Sequence, residues 1–177
     1  MNVKPQTLTA VSIAVFLASA AACLIAPFEA ATEFFPLLFW IHIAIIALGI
    51  WGTLRIRKLK SSWPEVARAL FPLPSKLVIL GVAAAALAVH SGRNLHFDMG
   101  TMPDGTAVHS KNWSESGGKY WLSLNKQQPI EITKVRYQEL QRESYVFFAL
   151  FWVHFSYIIV LQWHYVARCE AQRAHAA

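Results

Sequence analysis

The sequence predicts an all-α membrane fold: a bundle of four transmembrane helices with a small β-hairpin and a helix extension between the third and fourth. Three observations lead there. The chain of 177 residues is 55% hydrophobic and only 15% charged, where soluble domains carry about 25% charge. Its apolar residues gather in four runs, Leu8–Ala26, Phe35–Leu54, Leu77–His90 (extendable to Ser75 and Gly92) and Tyr145–Val166. A bilayer core of about 30 Å needs roughly 20 apolar residues in a helix to cross it, and backbone groups in lipid must bond within their own segment, which excludes isolated strands. Finally, the charges sort by link. Arg55, Arg57, Lys58, Lys60, Arg68 and Lys76 lie between the second and third runs, whereas the link between the first and second carries Glu29 and Glu33. The positive-inside bias then places residues 55–76 in the cytoplasm, and Lys4, Arg168 and Arg173 put both termini there too.

The first run carries Ala10, Ala14, Ala18, Ala22 and Ala26, a small residue every fourth position. Such a stripe lets helix backbones approach closely in lipid. Lys4, the run from Leu8 and "ASAAAC" resemble a secretory signal, but the apolar stretch continues through Ile25 and is long enough to span uncleaved. The second run is bulky, with Phe39, Trp40 and Trp51. The link that follows contains "SSWPEVARALFPLP", where Ser62 caps a short amphipathic helix from Pro64 to before Pro72, lying on the membrane surface. In the third run Gly81 and Ala85, with Ala84 and Ala88, form a second tight face. Residues 93–143 face outward. Gly, Ser, Asn and Asp are frequent at their start, which reads as loop with turns at Pro103-Asp104-Gly105 and Gly117-Gly118. Two alternating runs around "NKQQP" read as a hairpin over about 119–133. A helix leads from there into the fourth span, 144–167, in which Tyr145 and Trp163 fit interfacial belts. Residues 168–177 form a cytoplasmic tail.

The net charge of +6 follows the link topology and identifies no basic soluble module, so nucleic acid is not the expected partner. A secondary attraction to anionic lipid headgroups goes with that charge. Cys23 and Cys169 fall on opposite sides of the membrane, and no C-x-x-C is present, which argues against dithiol exchange. The spans hold no Asp, Glu, Lys or Arg in their middles, against ion pumping and proton-coupled transport. No nucleophile elbow, zinc-protease or phosphate-loop motif occurs, so no enzyme activity is expected. One pattern recurs: "LFWIH" at Leu38–His42 and "LFWVH" at Leu150–His154. Both spans run inward, so His42 and His154 sit at similar depth, the arrangement a bis-histidine haem b requires. The competing reading is a pair of packing contacts, since neutral histidines bond across helices. His96, Asp98 and His109 match no metal-ligand spacing, and no metal is expected. "NWS" at Asn112–Ser114 is a glycosylation sequon only in a eukaryotic secretory setting.

The stretch "GKYWLSLNKQQPIEITKVRYQELQRESYVFF", Gly118–Phe148, resembles small polytopic bacterial inner-membrane proteins of the toxin-immunity type. There an aromatic-Leu-Asn hairpin and a polar turn precede the last span; here Gln127-Gln128 replaces the usual glycine of the turn. The resemblance implies a multi-pass protein of the bacterial inner membrane that recognises another protein, a secreted toxin in the immunity case, through its periplasmic segment. It implies no catalytic residue. The contact surface expected on that basis is Tyr120, Trp121, Leu122, Ile130, Ile132, Arg136 and Tyr137, rich in the aromatic and arginine anchors that carry binding energy. Two other readings stand beside it: a small membrane cytochrome using His42 and His154, and an accessory subunit of a membrane complex. A second copy of the chain is a further partner to consider.

Overall fold

The computed structural model describes residues 4–28, 39–70, 73–92, 107–108 and 110–176. Among them are five helices and three strands, in the order α1 Pro5–Ile25, α2 Trp40–Lys58, α3 Trp63–Leu70, α4 Ser75–Gly92, β1 Lys111–Ser116, β2 Lys119–Leu124, β3 Ile130–Ile132 and α5 Lys134–Ala176. Three helices, α1, α2 and α5, are long and apolar enough to cross a membrane. The segments Pro64–Leu70 and Ser75–His90 pass the same test only together, and are bent by 110° at the break between them. The third run is therefore a helix that turns sharply out of the short amphipathic helix before it and meets the length and hydropathy of a span only together with it. Glu29 and Glu33, the Pro103–Gly105 turn, and His96, Asp98 and His109 lie outside the described residues.

The 43-residue α5 is the axis of the molecule. At 1.5 Å per residue it is about 64 Å long, roughly twice a bilayer core. Helices α1, α2 and α4 all pack on it, and its Val146, Ala149, Trp152, Val153, Ile159, Val160, Trp163 and Val166 are buried in the common core. Residues 168–176, expected as a tail, continue this helix without a break.

The face that α1 buries takes in the second half of the alanine stripe, Ala22 and Ala26, and departs from the first. Leu8, Ser12, Phe16, Ser19, Ala22 and Cys23 are buried, while Ala10, Ala14 and Ala18 point outward. The buried face combines small residues with one large knob: Phe16 meets Tyr157 of α5 at 6.2 Å between ring centroids. Its two serines need no partner from another helix, because Ser12 Oγ donates to the Thr9 carbonyl and Ser19 Oγ to that of Val15, both at 2.7 Å. On α4 the close approach is made by Gly81 and the buried Ala84, with Ala85 exposed. A Cβ at Gly81 would stand 2.6 Å from the Tyr157 hydroxyl, which donates to the Leu77 carbonyl at 3.1 Å. Trp163 is likewise not a belt residue. It is fully buried, donates to the Leu48 carbonyl at 3.2 Å, and meets Trp51 edge-on at 5.6 Å. An indole N–H inside a bundle needs an acceptor, and α2 supplies one.

The expected hairpin is present, and β1 extends it into a three-stranded antiparallel sheet of order β1-β2-β3. Gly117 and Gly118 have φ of 60° and 73°, the left-handed pair that a two-residue hairpin turn of the favoured twist requires. Asn125 holds the other turn with φ 52°. Its Nδ2 donates to Ala107 and its Oδ1 accepts from the Ser110 amide, which fastens the incoming chain to the sheet. The third strand answers the difficulty that a lone hairpin is marginal in water.

At the other end of α5, α3 has the expected cap. Glu65 N–H donates to Ser62 Oγ at 3.4 Å, and Ser62 N–H donates to Glu65 Oε2 at 2.7 Å, a reciprocal capping box. Arg168 reaches the Ala69 carbonyl and Arg173 the Leu59 carbonyl, closing the C-terminal ends of α3 and α2. Arg55 and Glu170 add an ion pair at 3.6 Å.

Candidate functional site: the sheet on the N-terminal end of α5

The strand register divides the sheet into two faces. Trp113, Leu122 and Ile130 align across the strands, as do Glu115, Tyr120 and Ile132, and these residues share one face. That face turns to α5: the Tyr120 ring lies 4.8 Å from that of Tyr137, and Leu122 and Leu140 are buried. Helix α5 is started at this point by Thr133, whose Oγ1 accepts from the Arg136 amide at 3.2 Å. The opposite face aligns Ser114, Trp121 and Glu131. Lys119 pairs with Glu131 at 2.8 Å and stands 6.0 Å from the centre of the Trp121 ring. Ser114, Trp121 and Pro129 line a shallow recess of about 300 Å³.

The seven residues expected as one contact surface are thus brought to the same end of the molecule but divided among roles. Tyr120, Leu122 and Tyr137 join the sheet to α5. Trp121 lies on the outward face. Ile130 is 55% exposed at the edge strand, and Ile132 is half-buried beside it. Arg136 is exposed and bonded to Glu139 at 2.8 Å. Sequence reasoning missed Ser114, Lys119, Pro129 and Glu131. Cross-strand register with Trp121 finds two of them, Glu131 in β3 and Ser114, the latter only once β1 is recognised.

The two histidines are placed apart. His42 is half-buried, and its Nδ1 accepts from Trp152 Nε1 at 3.2 Å. Phe39, Phe148 and Phe151 surround its ring at 5.2, 6.4 and 5.7 Å. His154 follows Trp152 by two positions, about 200° around the helix. It is exposed, with Nδ1 at 2.8 Å from the Leu150 carbonyl. Since Trp152 faces His42, His154 lies on another side of α5. Among the described residues no group of three or more His, Cys, Asp or Glu side chains could hold a metal.

No protein-family model, curated protein or solved structure matches the chain.

Proposed function

We propose that the chain is a multi-pass protein of the bacterial inner membrane, with both termini cytoplasmic, that recognises a protein partner on the periplasmic side through the outward face of its sheet. The observation that carries this reading is the division of the sheet. One face is spent on α5, while the other holds an indole, Trp121, beside a recess with a cation and a carboxylate at its edge. A tryptophan presented this way has the character of a binding anchor. The length of α5 supports it as well, because a helix of 43 residues can cross the bilayer and still carry the sheet clear of the headgroups. An immunity protein that intercepts a toxin is the form of this function favoured by the resemblance of Gly118–Phe148. An accessory subunit of a membrane complex would use the same face.

The test is site-specific photocrosslinking in intact cells, with the photoreactive residue at Trp121 or Ser114 and, for comparison, at the exposed Ile79 of α4. A discrete protein adduct from the two sheet positions, absent from Ile79, supports the reading, and its identity separates toxin from complex subunit. Adducts from Ile79 alone, or none, refute it.

A further inference from the structure

At the opposite end of α5 the surface helix α3 leaves a cleft of about 160 Å³ against it, lined by Val66, Ala67, Leu70, Ile158, Leu161 and Gln162. Except for the Gln162 amide the lining is hydrocarbon. Gln162 itself is buried, with its carboxamide against Gly52 of α2. An apolar cavity of roughly this volume stays dry and accepts a six-carbon hydrocarbon, so the cleft suits a length of acyl chain and not a polar metabolite.

The charge at this end of the molecule is mostly positive. Arg57, Lys58, Lys60, Arg68 and Lys76 are exposed. Arg168 and Arg173 bond to backbone carbonyls, which leaves their charge without a carboxylate. The acidic groups described at this end are Glu65, which lies near Arg68 and is engaged by Ser62, and Glu170, which pairs with Arg55. Arg168 stands seven residues beyond Leu161 on the same side of α5, about 10 Å further along the axis. It reaches Ala69, the neighbour of Arg68 in α3. Arg68 Nε donates to the Pro64 carbonyl at 3.4 Å and Arg168 to that of Ala69, so two guanidinium groups are held on α3 beside the hydrocarbon cleft, as the charged and apolar parts of a phospholipid require. Arginine suits the phosphate because its donors form a planar fork.

We infer that this cleft is a binding site for a single anionic phospholipid, its acyl chain between α3 and α5 and its phosphate at Arg68 and Arg168. The inference rests on the reading of α5 as membrane-spanning. The site would tie α3 to the cytoplasmic leaflet independently of any partner at the sheet.

Native mass spectrometry of the full chain in non-ionic detergent tests it, using phosphatidylglycerol and phosphatidylcholine of identical chains as the added lipids. One phosphatidylglycerol should be retained roughly tenfold more tightly than phosphatidylcholine. Arg68→Gln should lower that preference several-fold, and Arg168→Gln should do the same. Ala67→Trp, which fills the cleft from an exposed position, should weaken both lipids. The thermal transition of the Arg68→Gln variant should match that of the parent, which separates lost binding from lost folding. Equal retention of the two lipids by the parent chain overturns the proposal, as does phosphatidylglycerol binding that Ala67→Trp and Arg68→Gln leave unchanged. If the lipid test fails while the two ends of α5 are still found on opposite sides of the membrane, the lipid site is lost and the membrane reading stands.

Discussion

Tyr157 shows how one side chain fixes a helix pair. Its hydroxyl enters the notch at Gly81 and bonds the Leu77 carbonyl of α4, a contact that a hydrogen-bond average for membrane helices would value at about 0.6 kcal/mol. The notch matters more than the bond. Gly81→Ala should destabilise the fold by about 1–3 kcal/mol, the usual cost of overpacking, because the rigid phenol ring must move. Gly49→Ala, where a Cβ would meet Ile159 at an ordinary 3.6 Å, should be close to neutral. Thermal unfolding in detergent compares the two. The repeated Phe-Trp-x-His gives a second prediction at this scale. With His42 bonded to Trp152 and His154 exposed on another side of α5, protein expressed with added haem should show no Soret band that shifts on dithionite reduction. A shifting band that disappears in both His42→Ala and His154→Ala would overturn this placement. The sequence displayed the repeat, and similar depth was a fair inference from it. It could not display azimuth, and azimuth separates Trp152 from His154. For the same reason Gly81 was legible as a close approach whereas its partner Tyr157 was not.

At the scale of the element, local chemistry made α3 legible. Ser62 with Glu65 three residues on, just before an amphipathic run, specified both its start and its cap. The two hydrogen bonds from Ser62, with a smaller contribution from Arg68, hold the Glu65 carboxyl below its ordinary pKa. A carboxylate depressed in the folded state adds stability that is fully present above its unfolded pKa and is lost as the pH falls through the folded one. Amide hydrogen exchange in α3 should therefore be slow at neutral pH and accelerate as the pH drops below about 4.5, after correction for intrinsic rates. Glu65→Gln should remove most of that pH dependence. A profile unchanged by Glu65→Gln would show that the cap does not hold the helix. Strand β1 was illegible for the opposite reason. Lys-Asn-Trp-Ser-Glu-Ser has no β-branched residue and one apolar side chain, so it lacked the alternation by which strands are read. Only the Gly117-Gly118 turn marked it. Replacing Gly117 and Gly118 by Ala, where φ is positive, should loosen β1 and, through the loss of Ser114 beside Trp121, reduce the photocrosslinking yield from position 121.

The whole molecule is one long helix with other elements gathered on it. Composition located the apolar helices, three of them long enough to cross a membrane, because hydropathy is a property of composition. The helix faces were not specified, because in lipid both faces of a span are apolar and packing alone chooses between them. This explains why Ala10, Ala14 and Ala18 of the α1 stripe point outward and why Trp163 is interior. The same long helix puts the sheet with Trp121 at one end and the basic collar with the lipid cleft at the other, so that both proposals depend on α5 crossing the membrane. Labelling with a membrane-impermeant maleimide tests this directly, using single-cysteine chains built on a Cys23→Ala, Cys169→Ser background with Ser116→Cys in β1 or Ala174→Cys near the end of α5, both exposed positions. The account predicts that Ser116→Cys is labelled in intact spheroplasts and that Ala174→Cys is labelled only after the membrane is opened. Labelling of both in intact spheroplasts, or the reverse order, would contradict it.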